Sequence, residues 1–484
     1  MAWRFVSGIA LALPLLVSGC RDDGVVMDTA GVTMTDCGNG VVEEGEECDE
    51  DSDDCTAQCT EVRCGDGIVS ADEVCDDGDE DDGDTCTNSC QLGPASVIAV
   101  AAGEAHTCAA SQEGLVRCWG APGDGRLAQP DFTEELIGDD EPPSDWGPVQ
   151  VGAGVVALDA GQYHTCAITE DAQLVCWGAN SFRQCGYEEV DDFSDAVGDD
   201  EHPEDKGPVP LSGGDVLQVS AGATHTCVLF EGGNVACWGQ GGSGRLGYGS
   251  TDNTPAEQAP DAQGFVALPG PAEMITTGDE HTCALIEGGD VVCWGRGNEG
   301  QLGYGNPDNV GDGEGEDVSD AGTVEIGGEA IDISAGANHT CVALDDGTVR
   351  CWGSNSSGQI TTDDDIGERK VPTEADAITF DRDAIGVECG RSFSCAILEG
   401  GEVTCWGARE GHANPEFYGG QDEPQPPVPL GGPIESMASG WSHSCAIMGS
   451  GGLRCWGGGG AALGYPDASG EILDPRELGD IDVF

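Results

Sequence analysis

Cysteine is the residue whose spacing speaks first of chemistry in this chain. Of 25 cysteines, fourteen form seven pairs: Cys108 and Cys118, Cys166 and Cys176, Cys227 and Cys237, Cys283 and Cys293, Cys341 and Cys351, Cys395 and Cys405, Cys445 and Cys455. Ten positions separate the partners every time. Thiols held face to face can cross-link, and facing is what the surrounding pattern asks for. In an antiparallel hairpin the numbers of facing residues have a constant sum. Cys283 opposite Cys293 therefore also sets Leu285 against Val291 and leaves Glu287-Gly288-Gly289 as the turn. A three-residue loop of this kind ends in a left-handed residue. That place is held by Gly114, Gly233, Gly289, Gly347, Gly401 and Gly451, with Ala172 the exception. Apolar strands, a glycine-bearing turn and facing cysteines all call for one hairpin, seven times over.

Catalytic chemistry finds no comparable pattern. There is no nucleophile elbow, no His-Glu-x-x-His, no phosphate-binding glycine loop followed by lysine, and no carboxylate pair distinct from the acidic background. An enzyme is not expected. Acidic clusters instead suggest cations: Asp76, Asp77, Asp79, Asp81, Asp82 and Asp84 crowd one loop, and oxygen ligands in a flexible loop are what calcium takes. The spacing is not that of a helix-loop-helix site, and a solvated acidic surface is the competing reading. Gly138-Asp139-Asp140-Glu141 recurs as Gly198-Asp199-Asp200-Glu201, with a looser echo from Gly311 to Asp317. An acidic-capped turn is favoured there over a cation site. Cys185 and Cys389 are left over, and a bond between them is weighed evenly against two free thiols.

The elements that position these groups recur with them. Successive first cysteines lie 58, 61, 56, 58, 54 and 50 residues apart, which points to one closed array and not to several unrelated domains. A short apolar strand ending near glycine precedes each pair, as in Val155 to Gly161, and Trp-Gly follows it. The 79 glycines and low aromatic content suit turn-rich β structure, with a few helices in inserts. Ninety-one acidic residues against 17 basic ones leave a formal charge of −74, which repels phosphate backbones and excludes nucleic acid as a natural partner. Screening by salt over about 8 Å, or bound divalent cations, would relieve the self-repulsion.

Residues 1–19 read as an export signal: Arg4 gives the positive start, and Phe5 to Val17 is an apolar run too short to span a bilayer as a mature helix. Residues 20–36 form a polar tether. Residues 37–93 hold a duplicated four-cysteine module, Cys37, Cys48, Cys55 and Cys59, then Cys64, Cys75, Cys86 and Cys90. With almost no large apolar side chains such a segment needs cross-links or metal. An exported chain without a Cys-x-x-Cys pair favours disulfides, whose connectivity stays open among three alternatives per module. Residues 94–484 carry the seven copies.

Three resemblances add to this reading. Leu16-Val17-Ser18-Gly19-Cys20 resembles the lipobox of bacterial lipoproteins, which makes Cys20 the lipid-bearing anchor and implies the outer membrane or cell surface. Cys64-Gly65-Asp66-Gly67 with Asp84-Thr85-Cys86-Thr87-Asn88-Ser89-Cys90 resembles the myxococcus cysteine-rich repeat. The order strand, glycine, His-Thr, strand, turn, strand, Trp-Gly, Gly-Gln-Leu-Gly resembles the regulator of chromosome condensation (RCC1) repeat. The last resemblance implies an all-β fold, a seven-bladed propeller of four-stranded blades. Cysteine replaces two of that family's usual residues in every copy, which fits an exported variant stapled once per blade. His106, His164, His225, His281, His339 and His443, with Phe393 in the sixth copy, are then too far apart to share a metal and are expected to pack and hydrogen-bond to backbone. Trp119, Trp177, Trp238, Trp294, Trp352, Trp406 and Trp456 are expected between blades. Leu478 to Phe484 repeats an opening strand and suits closure of the ring by pairing with the first blade.

These observations favour a monomeric, non-enzymatic scaffold, lipid-anchored at the cell surface, that binds an extracellular or surface protein through loops on the propeller faces. An inhibitor of an extracellular enzyme is the alternative, and a glycan-active enzyme a more distant one.

Overall fold

Each constant cysteine spacing becomes a hairpin in the computed structural model. The structure describes residues 2–6, 9–13, 95–130, 136–187, 196–255, 258–360, 366–408, 424, 426–466 and 475–484. The expected anchor Cys20, the tether, the module from Cys37 to Cys90 and the aspartates from Asp76 to Asp84 lie outside them.

Residues 95–484 contain seven antiparallel sheets of three strands, each following its neighbour in sequence. The fourth sheet is typical: Ala272–Thr277 inside, His281–Ile286 in the middle and Asp290–Gly295 outside. Cys283 faces Cys293 and Leu285 faces Val291, the register expected from the spacing alone. The left-handed turn residues have φ between +75° and +85° at the six glycines and +56° at Ala172. All seven cysteine pairs are bonded, with Cα atoms 4.0–4.1 Å apart. By the chain-entropy estimate each short bridge contributes about 2–3 kcal/mol.

The same turn residues join the blades. The carbonyl of Gly114 accepts the N–H of Val155, Ala172 that of Val216, Gly233 that of Ala272, and so on through Gly401 and Ile434, at 2.9–3.1 Å. Gly451 accepts from Val97 at 2.9 Å, which brings the seventh blade onto the first and closes the wheel. Left-handed backbone at that one position thus turns the hairpin and aims its carbonyl at the neighbouring blade.

The blades are three-stranded, not four-stranded as the family resemblance implied. A fourth segment reaches each outer strand but holds it at one residue: Val149 N–H to Val116, Val209 to Leu174, Val266 to Val235, Val324 to Val291, Val428 to Val403, and Ile378 with Val349 in both directions. Prolines at 148, 208, 210, 427 and 429 lack the N–H that a ladder requires. Tyrosine hydroxyls cover part of this edge instead, Tyr248 accepting the N–H of Cys237 and Tyr304 that of Cys293, each at 3.1 Å. The carboxyl-terminal segment is the fourth edge of the last blade, because Ile481 N–H bonds to Leu453 at 2.8 Å. It does not pair as a strand with the first blade. It touches that blade through the Asp482 carbonyl, which accepts from Ser144 at 3.1 Å, and the Val483 carbonyl, which accepts from Arg117.

Every inner strand also carries a β-bulge one residue from its start. The pairing skips Ile98, Val156, Leu217, Glu273, Ile331, Ile385 and Glu435. A bulge leaves its residue unpaired and redirects the side chain. Among the described residues helix is confined to short turns such as Pro203–Lys206 and Pro475–Leu478, and no described helix is long and apolar enough to cross a membrane.

Candidate binding surfaces around the channel

The inner strands surround a central channel, and seven glycines close one end of it. Gly103, Gly161, Gly222, Gly278, Gly336, Gly390 and Gly440 each follow an inner strand and line this mouth. A Cβ on Gly103 would lie 2.8 Å from the carbonyl oxygen of Gly161, one on Gly161 2.0 Å from that of Gly222, and one on Gly440 2.2 Å from that of Gly103. Neighbouring backbones therefore approach so closely that glycine is required for contact, not for its φ.

Behind Gly390 lies Phe393, and behind the other six of the seven glycines lies the recurring histidine, wholly buried in every case. Its Nε2 meets a hydroxyl of the next blade: His106 with Thr165, His164 with Thr226, His225 with Thr282, His281 with Thr340, His339 with Ser394 and His443 with Thr107, at 2.8–3.0 Å. The expected backbone bond belongs instead to the histidine's own carbonyl, which accepts the N–H of the adjoining glycine, as Gly278 to His281 at 2.9 Å. The hydroxyl passes its proton onward, Thr340 to the Gln301 carbonyl at 3.0 Å and Thr282 to that of Arg245 at 3.1 Å. The blade's tryptophan shares these acceptors, Trp352 Nε1 reaching Gln301 at 2.9 Å and Trp294 reaching Arg245 at 3.0 Å. Because the hydroxyl has a single proton and, at Thr107, Thr226, Thr282, Thr340 and Ser394, gives it to a carbonyl, Nε2 must carry the imidazole hydrogen of the five histidines facing them. Nδ1 is left without a partner in all six rings. Burial pushes these imidazoles below their ordinary range, to about 4 at His164, His339 and His443 and about 3 at His281. They are neutral mortar between blades. Where Phe393 stands, the hydroxyl that would meet a histidine, Ser444, turns to Ser439 at 2.8 Å.

Side chains along the channel cap the exposed edges of the inner strands, which have a partner on one side only. Asp159 accepts the N–H of Ala221 at 2.7 Å, Asp332 that of Val387 at 2.9 Å, and Glu388 that of Ser439 at 3.2 Å. Gln218 both donates to and accepts from the Ile275 backbone at 2.9 Å. Burial raises the carboxylates, Asp159 to about 6 and Asp332 to about 8. Shifts of this kind are common at catalytic acids, but here each carboxyl is engaged in holding the next blade.

The glycine-closed mouth presents one residue after each glycine, and two of these form a stack. The Arg391 guanidinium lies 3.8 Å from the centroid of the Trp441 ring. Their backbones are clamped, Arg391 N–H to Gly440 and Trp441 N–H to Gly103, each at 3.2 Å. Arg126 covers Tyr163 at 5.1 Å, and Arg245 reaches Glu280 at 3.0 Å. Sequence reading passed over Trp441. Its signal was available, since Trp441 is a tryptophan outside the Cys-Trp-Gly position and directly follows the glycine that ends a strand.

The other expected sites resolve as follows. The seven repeated tryptophans are buried between blades. The repeated inserts occupy equivalent places, Ile137, Val197 and Val310 each bridging the glycine that ends an outer strand. Carboxylates of Asp139, Asp140 and Glu141, and of Asp199, Asp200 and Glu201, gather within 4.8 Å of one another. Glu141 accepts from Trp146 Nε1 at 2.8 Å, and Glu201 pairs with Lys206 at 3.3 Å, which accords with acidic-capped turns. Cys185 and Cys389 are both buried and free, so the weighed bond between them is not formed. Burial pushes the Cys389 thiol up to about 12, and the Cys185 thiol also rises.

Comparison with known proteins agrees with this architecture. The regulator of chromosome condensation (RCC1) repeat matches at residues 97–126, 155–184, 216–245, 275–301, 330–359, 384–409 and 434–461, and a second form of it at 232–285. The chain is 26% identical over 368 residues to the ultraviolet-B receptor UVR8 of Arabidopsis thaliana, covering 65% of this chain and 77% of that one. To the human E3 ubiquitin-protein ligase HERC2 it is 29% identical over 269 residues, 52% of this chain but 5% of that much larger protein. Among solved structures, human WBSCR16 superposes with a TM-score of 0.59 at 19% identity, covering 73% of this chain and 92% of that one. Prp20p of Saccharomyces cerevisiae, characterised for its binding to Gsp1p and histones, superposes at 0.55 and 20% identity, covering 72% and 83%. This chain is an RCC1-like propeller, built from seven RCC1 repeats with one disulfide in each blade.

Proposed function

We propose that the protein is exported, lipid-anchored through Cys20 at the cell surface, and binds an extracellular protein without catalysing a reaction on it. RCC1-like propellers are binding scaffolds, and Prp20p provides a case of protein binding on this fold. The observation that supports binding here is the Arg391–Trp441 stack at the channel mouth. Tryptophan and arginine dominate the energetics of protein interfaces. Side chains already stacked, on backbone clamped between blades, lose little freedom when a partner arrives.

The test is crosslinking and pull-down from intact cells. Cys20→Ser should release the protein from the membrane fraction into the medium. Trp441→Ala should leave it anchored while abolishing capture of the crosslinked partner. Capture that survives Trp441→Ala would refute this mouth as the binding surface, and membrane retention of Cys20→Ser would refute the anchor. Repeating the capture with a chelator tests whether calcium at the Asp76 to Asp84 loop contributes.

A further inference from the structure

The opposite end of the channel differs in both charge and polarity. Here lie the seven hairpin turns, each bonded to the segment that opens an inner strand, as Glu231 N–H to Asp215 and Asp345 N–H to Glu329. The turns expose Glu113, Glu170, Glu231, Glu287, Asp345 and Glu399. Among the described residues of these turns and opening segments the basic side chain is Arg382, and it pairs with Glu402 at 3.6 Å. Inside this acidic circle sit the bulge residues. Val156, Leu217 and Ile331 are 43%, 45% and 40% exposed, with Ile98 and Ile385 half-buried beside them. Five of seven bulges thus carry aliphatic side chains, the other two being Glu273 and Glu435, and the Ala2–Val6 and Ile9–Leu13 strands of the expected export signal lie against two of these inner strands. A bulge repeated at one place in every blade is a device that re-aims side chains, and grouped exposed aliphatics mark an interaction surface.

We infer that this hairpin-turn face binds a cationic polypeptide segment of a partner protein, which seats an apolar side chain among Val156, Leu217 and Ile331. The inference deepens the protein-binding reading above by assigning a second surface and the chemistry of what it takes. Charge complementarity selects the occupant: a ring of carboxylates attracts lysine and arginine and accelerates their encounter. The aliphatic crown then favours a basic segment with an apolar residue over a purely basic one. A second copy of this chain would oppose like charges at the same face.

The full exported protein should be titrated with a fluorescein-labelled peptide alternating lysine and leucine, and with an oligolysine of equal charge, by fluorescence anisotropy at several salt concentrations. The alternating peptide should bind more tightly than oligolysine, and weaken as salt rises. The triple variant Glu231→Lys, Glu287→Lys, Asp345→Lys should weaken it by about tenfold or more. Ile331→Asp should weaken the alternating peptide and leave oligolysine unchanged. Leu217→Asp repeats the measurement in another blade should Ile331→Asp disturb folding. Equal binding of both peptides, indifference to the triple variant, or self-association through this face by light scattering would overturn the inference. These variants leave Cys20 and Trp441 untouched. A negative result here therefore leaves the anchored scaffold standing, and that reading fails separately through Cys20→Ser and Trp441→Ala.

Discussion

Removing one hydroxyl between blades tests the histidine relay directly. In Thr340→Val the buried His281 Nε2–H loses its acceptor, 3.0 Å away, while the Gln301 carbonyl keeps the Trp352 indole N–H. A buried donor left without a partner costs about 1–3 kcal/mol. His281→Phe removes the donor instead, and Thr340 remains bonded to Gln301, so its cost should be smaller, about 1 kcal/mol. The double variant has no orphaned donor and reproduces the apolar ring that Phe393 provides in the sixth blade. Its destabilisation should fall short of the sum of the singles by about 1–2 kcal/mol. Urea unfolding of the oxidised protein measures all four corners of this cycle. Long-range 15N NMR should show the Nε2–H tautomer in His164, His225, His281, His339 and His443. A coupling indistinguishable from zero, or Nδ1–H tautomers, would refute the relay and the proton count behind it.

Acid should weaken the wheel through the same rings. Above pH 6.5 neither folded nor unfolded histidine binds a proton; below it the unfolded ring does, while burial holds His281 neutral down to about 3. The histidine share of stability should therefore fall on acidification from about 6.5, by up to about 1.4 kcal/mol per pH unit for each histidine, while the burial-raised carboxyls of Asp159 and Asp332 act in the opposite sense. Replacing His281 by Phe should remove one such contribution from the slope measured by unfolding between pH 6 and 4. Cys283→Ala with Cys293→Ala should cost about 2–3 kcal/mol in urea unfolding and keep the fold, since the turn and its blade-to-blade bond persist. Gly222→Ala should destabilise strongly, because its Cβ would lie 2.4 Å from His225 Cε1 and 2.7 Å from the Gly278 carbonyl. Gly147→Ala, with nothing within 4 Å, should leave the urea midpoint unchanged.

Much of the blade was legible from local pattern. A constant spacing of ten, a left-handed turn residue and flanking apolar strands are enough to set the hairpin register, because facing residues there are related by simple arithmetic along the chain. The seven-fold count and the disulfide in each blade come from the same repetition, read beside the family resemblance. Tertiary structure decided what happens between blades. The partner of His281 is Thr340, 59 residues away, and the glycine ring, the channel carboxylates and the Arg391–Trp441 stack arise only when separate copies are brought edge to edge. The bulge that redirects Leu217 and Ile331 hides inside an ordinary apolar run. The fate of Cys185 and Cys389, and the edge that the last segment joins, likewise depended on geometry around a closed circle. Along one hairpin, distance in sequence measures distance in space; across a wheel it does not, and there packing chooses the neighbours.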